Sequence, residues 1–279
     1  DWRADESKSI TWTRTGSIAL VNLYYSTDSG VTYPVTIASD VNGGNLSRAW
    51  TIPNTLSVTT ARVMIEDKAN TAVLDTSDAD FIIKPKLTLL TPNGSEVWFV
   101  NNNTDDITWT TAGTIAEVNL KYATNGINYD SNVIATQLAN TDAYNNWVIP
   151  DAIGSTVKVK VESYSDAANV FDVSNADFTI RGSITLTAPN GGDTKIVGAP
   201  LSVTWTKTGS LTGNVNLYYS TNGGSTYVGD PGSPFATPTV ASGSYAWTIP
   251  DALGNNVKVK AVLANDTAVT DESDTAFTI

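Results

Sequence analysis

The sequence predicts an all-β chain folded as three tandem β-sandwich domains set end to end. Three observations carry this. One pattern of residues recurs three times along the 279 residues. Within each copy, apolar and polar residues alternate with the period of two that a half-buried strand requires. Turns rich in Gly, Asn and Pro separate the alternating runs, and no helical pattern interrupts them.

The repeat is read from four landmarks. Ser9-Ile-Thr-Trp-Thr-Arg-Thr-Gly16 returns as Asp106-Ile-Thr-Trp-Thr-Thr-Ala-Gly113 and as Ser202-Val-Thr-Trp-Thr-Lys-Thr-Gly209. Val21-Asn-Leu-Tyr-Tyr25 returns as Val118-Asn-Leu-Lys-Tyr122 and Val215-Asn-Leu-Tyr-Tyr219. Trp50-Thr-Ile-Pro53 returns at Trp147 and Trp247, and Phe81-Ile-Ile83 at Phe178 and Phe277. Successive copies of Trp12, Trp109 and Trp205 lie 97 and 96 residues apart. A period near this length is one immunoglobulin-like or fibronectin III-like sandwich, far longer than a solenoid repeat.

Each strand follows from its alternation. Val157, Val159 and Val161 alternate with Lys158, Lys160 and Glu162. Val257, Val259 and Ala261 alternate with lysines, and Ala61, Val63 and Ile65 with Arg62 and Met64. One face of each strand is therefore expected in a core and the other in water. Pro92-Asn-Gly94, Asn125-Gly126 and Asn222-Gly-Gly224 supply turns. The expected domains are 1–84, 85–181 and 182–279. Their junctions, at Lys84/Pro85 and Arg181/Gly182, are short and lack a Gly/Ser-rich linker, which predicts a stiff arrangement.

The first copy departs from the others. The second and third open with Leu87-Thr-Leu-Leu-Thr-Pro-Asn-Gly94 and Ile184-Thr-Leu-Thr-Ala-Pro-Asn-Gly191. Asp1-Trp2 aligns instead with Val97-Trp98, so the first strand is missing from copy one. Two readings stand: the chain is cut from a longer repeat protein, or another chain supplies the strand and closes the open edge.

Composition narrows the function. The net charge of −12 repels a phosphate backbone and an anionic membrane surface, so nucleic acid is excluded as a partner. No apolar run is long enough to predict membrane insertion. With no Cys and no His, disulfides, ordinary zinc sites and Ser-His or Cys-His nucleophiles are excluded. Charged residues make up 16% of the chain, against about 25% in ordinary soluble domains.

The Pro-Asn-Gly-Gly, Ile/Val-Thr-Trp-Thr, Val-Asn-Leu-Tyr-Tyr, Trp-Thr-Ile-Pro and Ser-Asp-Thr-Ala-Phe-Thr-Ile motifs together resemble the Ser/Thr-rich Kre/Knh-type immunoglobulin-like repeat of secreted and cell-surface proteins. The resemblance covers all three copies. It implies an extracellular or cell-surface setting, a spacer, adhesion or wall-associated role, and no catalytic residues.

Several side chains are candidates for contact or metal binding. The six tryptophans that recur in every copy are expected in cores. Trp2 and Trp98 are expected at a surface or junction, because Lys195 takes the matching position in copy three. There they would pack on a neighbouring domain or offer an aromatic platform to a sugar or a partner. Tyr24 and Tyr218, opposite in phase to Leu23 and Leu217, are expected to form an exposed contact stripe. Asp166, Asp172, Asp266 and Asp271 recur in the loops before the last strands. They are read either as self-capping turns or as ligands for a structural Ca²⁺ ion, which takes six to eight oxygens. No other cofactor is expected.

The sequence thus favours a non-enzymatic rod: a spacer, surface-layer or filament segment of a large surface protein. Its partners would be neighbouring copies or domains, with end-to-end self-assembly. The alternative is a carbohydrate- or protein-binding adhesion module accessory to a secreted enzyme.

Overall fold

The computed structural model describes residues Asp1–Ile279, all of them β-strand, turn or loop apart from two single-turn 3₁₀ segments, Gly43–Asn45 and Val240–Ser242. No helix is long and apolar enough to cross a membrane.

The second copy shows the complete layout. One sheet orders Val97–Phe99, Phe178–Arg181, Gly154–Ser163, Glu117–Ala123 and Val133–Ala139, with Phe171–Val173 also paired to Gly154–Ser163. The facing sheet orders Ala143–Tyr144, Ile107–Ala112 and Lys86–Thr91. The chain enters through Lys86–Thr91, antiparallel to Ile107–Ala112. It turns at Pro92-Asn93-Gly94 and crosses to the other sheet, where Val97–Phe99 runs parallel to the last strand with Trp98 opposite Ile180. This is an immunoglobulin-like sandwich. The third copy repeats it, with Ser183–Ala188, Pro200–Thr208 and Ser244–Thr248 facing Val215–Ser220, Lys258–Leu263 and Thr270–Glu272.

The alternation places the core as expected. Val157, Val159 and Val161 are fully buried, as are Val257, Val259 and Ala261. The recurring Trp109 and Trp205 are buried beneath the entering strands, and the Ile of each Trp-x-Ile-Pro motif closes the same core. Sixteen buried residues form the core of copy two and seventeen that of copy three.

Copy one has one sheet in full: Trp2–Arg3, Phe81–Lys84, Val58–Asp67, Leu20–Ser26 and Val35–Asn42. The facing sheet has only Ser7–Thr11 and Ser47–Thr51. Its buried residues fall into separate clusters of six and three.

Candidate functional site

The two junctions between repeats are built from the same parts. The last strand of each copy ends on a cation, Lys84 or Arg181, and the hairpin of the next copy presents a carboxylate, Asp166 or Asp266. Lys84 Nζ lies 3.6 Å from Asp166, and Arg181 Nε donates to Asp266 at 2.9 Å. Arg3 adds a bond to the Asn169 carbonyl at 2.8 Å. The turn after each Ile-Pro forms a second contact. The Asn54 carbonyl accepts the Gly113 N–H, and Ser57 Oγ accepts from Thr114 N–H. At the next junction Asp151 accepts both the Ser210 N–H, at 2.9 Å, and its hydroxyl. These bonds, the hydroxyl's first, hold the Asp151 carboxyl below its ordinary value.

Glycine is required at this contact. Gly113 and Gly209 have φ of +79° and +84°, a region that side chains rarely adopt. A Cβ on Gly113 would meet Pro85 at 2.9 Å, and one on Gly209 would meet Ile153 at 3.0 Å. The third member of the set, Gly16, has nothing within 4 Å.

The four aspartates proposed as calcium ligands are not gathered into a metal-holding group, and no cluster of three or more carboxylates is placed to hold an ion. They divide into two pairs with two tasks. Asp166 accepts from Asn169 at 2.6 Å and faces Lys84 across the junction; the Asn169 bond first, and then that cation, keep its carboxyl low. Asp266 faces Arg181. Asp172 and Asp271 reach the opposite sheet and accept the backbone N–H of Leu89 and Leu186, both at 2.7 Å. The recurrence of these carboxylates reflects junctions and strand docking.

Trp98 is likewise corrected. It is buried in the core, its ring centroid 5.7 Å from Trp147 and 5.0 Å from Phe178. Trp2 is half-buried against Trp50 and Phe81, at 5.9 and 4.6 Å. Their short strand turns alternate residues inward, so neither ring forms a surface platform. In copy three Lys195 stands in the matching place and is bound by Asp193 at 2.8 Å. Phe235 stacks on Trp247 at 4.7 Å, where copies one and two carry Ile37 and Ile134.

The Tyr24 and Tyr218 stripe is not an exposed one. Tyr24 is half-buried and its hydroxyl donates to Glu66 at 2.9 Å. Tyr218 is 3% exposed. Its cross-strand partner Lys260 is bound by Asp230 at 2.6 Å, which brings the longer loop of copy three over that face. Copy two has Lys121 here, paired to the buried Glu162 at 2.9 Å. Burial pushes the Glu162 carboxyl up, but Lys121 and Lys160 outweigh it and hold the group below its ordinary value.

The Asx hairpins serve their own backbone. Asp28 accepts from the Ser26 hydroxyl at 2.6 Å and the Thr32 N–H at 3.0 Å, and these bonds draw its carboxyl down to about 2. Asn222 repeats the arrangement with Ser220 and Thr226.

A cleft of about 640 Å³ opens in copy three beside this hairpin and is lined by Tyr227, Asp230, Lys260, Asp271 and Glu272 among others. Its charges are already paired. Tyr227 donates to Glu272, Lys258 binds Glu272 at 2.9 Å, and Lys260 sits 5.0 Å above the Tyr227 ring. Burial and the Glu272 bond push the Tyr227 hydroxyl well above its ordinary range.

No protein-family model and no curated protein matches this chain. Solved structures do. The fibronectin(III)-like modules of Clostridium thermocellum CbhA are 16% identical with a TM-score of 0.25, covering 69% of this chain and 93% of that one. Extracellular domains 3–5 of Drosophila OTK are 9% identical with a TM-score of 0.37, covering 99% and 92%. A tetra-tandem repeat in the extending region of a large adhesion protein is 19% identical with a TM-score of 0.29, covering 98% and 70%. At these values the likenesses carry no argument about function.

Proposed function

We propose that the chain is a non-enzymatic structural segment of a large extracellular or cell-surface protein, a rod in which the repeats 1–84, 85–181 and 182–279 are held end to end. The observation that carries this reading is the recurrence of one set of contacts at both junctions: cation to aspartate, and Ile-Pro turn to the Thr/Ala-Gly turn. A connection that served only as a tether would not need matched partners twice. The resemblance of the motifs to secreted and surface repeats supports the setting. No reaction is assigned, because the recurring carboxylates are engaged in turns, strand docking and junctions.

NMR relaxation of the whole chain tests this. All three repeats should tumble with one correlation time, and Gly209→Val should free the third from the first two. Independent tumbling in the unaltered chain would reject the rod. The second reading, an adhesion module, rests on the polar cleft of copy three. Glycan binding that disappears in Tyr227→Ala would favour it.

A further inference from the structure

Asparagine is followed by glycine at five places, Asn42, Asn93, Asn125, Asn190 and Asn222. Such a pair can lose its side-chain amide without an enzyme, because a glycine carries no Cβ to shield its nitrogen. That nitrogen attacks the asparagine Cγ and ammonia leaves. Three conditions favour the step. The glycine N–H must be free of other acceptors. The Oδ1 atom, where negative charge develops, must be held by donors. The Nδ2 atom must be free to depart.

The fold withholds at least one condition at four of the five pairs. The Gly43 N–H donates to the Ala19 carbonyl at 2.9 Å. The Gly94 N–H donates to the Glu96 carboxylate at 2.7 Å. The Gly223 N–H donates to the Asn256 carbonyl at 2.8 Å, and Asn222 Nδ2 is held by the Thr226 hydroxyl. The Gly191 N–H has no protein acceptor, but Asn190 Nδ2 donates to Asp274 at 2.6 Å.

Asn125 meets all three. The Gly126 N–H donates to no protein group, and neither does Asn125 Nδ2. Asn125 Oδ1 accepts two backbone N–H groups, from Ile127 at 3.2 Å and Asn128 at 2.9 Å. Asn125 is exposed and Ile127 beside it is 81% exposed, so water reaches the site. The hairpin also accepts an acid at this point. Copy one carries Asp28 in the matching place, where its carboxylate caps the same turn through the Thr32 N–H.

We propose that Asn125 is a site of spontaneous covalent modification, converting to aspartate and isoaspartate through a cyclic imide closed on Gly126. The bond from the Gly126 nitrogen to Cγ forms, the Cγ–Nδ2 bond breaks, and the Gly126 proton leaves with the nitrogen as ammonia. Water then adds to one of the two imide carbonyls and breaks its bond to the Gly126 nitrogen. Opening at the side-chain carbonyl gives aspartate, the residue copy one already has. Opening at the main-chain carbonyl gives isoaspartate, which routes the backbone through Cβ and lengthens the hairpin by one carbon. Either product adds a negative charge to a chain whose net charge is −12.

The test holds the whole chain at mildly alkaline pH for weeks, with and without urea enough to unfold it. Samples are digested and mapped by mass spectrometry, and isoaspartate is read by enzymatic methylation. In the folded chain Asn125 should convert about tenfold faster than any other Asn-Gly pair, the factor in rate that one hydrogen bond represents. Both products should appear, with a matching acidic band on isoelectric focusing. In urea the rates of all these pairs should draw together. Conversion at Asn125 no faster than at the other pairs in the folded chain overturns the proposal. So does an unchanged ranking in urea, because the neighbouring residues and not the fold would then select the site.

Discussion

The first and second repeats share their core-forming residues almost position for position, yet the second buries sixteen of them in one core and the first divides nine between two clusters. Ile10 and Trp12 are chemically the equals of Ile107 and Trp109. The difference lies in six residues, Lys86–Thr91, which add a third strand to the smaller sheet and cover that end of the core. Side chains already facing inward gain burial only when the opposite surface is present, so one strand decides the environment of residues on its neighbours.

The largest expected effect that would sharpen this contrast is at the tryptophan. Trp109→Ala should destabilise the second repeat by about 3–5 kcal/mol, the usual cost of emptying a large core site. Trp12→Ala should cost the first repeat less than half as much, because its ring already meets solvent. Hydrogen exchange resolved by repeat measures both, since a single unfolding free energy is not defined for a multidomain chain. Equal losses would remove the contrast.

A smaller effect is expected at the serine. Ser174→Ala leaves the buried Pro92 carbonyl and Val159 N–H without their hydroxyl partner, at a cost of about 1–3 kcal/mol. Ser77→Ala strands only the Val63 N–H beside an open groove and should cost under about 1 kcal/mol. If the two variants unfold alike, the serine serves its own sheet and not the entering strand.

The smallest concerns the second junction. The Asp151 carboxyl is depressed in the folded chain, so its contribution is present above the ordinary carboxylate value of about 4 and is lost as pH falls through the lower folded value. The Ser210 amide resonance should follow that lower value, and coupling between copies two and three should weaken with it. A Ser210 resonance unmoved through the acid range would show that Asp151 does not hold the junction.

Much of the fold was legible because its signals are local. Alternation at Val157–Val161 fixes an inward face, and Trp109 repeats at a spacing that only whole domains explain. The candidate contacts were less legible. Lys195 in the place of Trp98 suggested a surface position, but the Trp98 ring turns inward onto Trp147 and Phe178. Tyr218 has the phase of an exposed residue, and a loop whose path the sequence does not give reaches Lys260 beside it. The loop aspartates looked alike in sequence. Asp172 reaches Leu89 and Asp166 faces Lys84, and the four aspartates are not gathered into one group.

The sequence by itself determined the all-β class, the threefold repeat, the inward face of each strand and the incomplete first sheet. Each depends on residue type and short-range period, which the chain carries without reference to its fold. The tertiary structure decided what the recurring polar residues touch: that Asp172 and Ser174 hold an entering strand, that Asp166 and Asp266 face the cations ending the preceding copy, and that Gly113 and Gly209 leave room for the adjoining turn. Those partners lie tens of residues away, and only the crossing of the chain between two sheets brings a carboxylate to one particular amide.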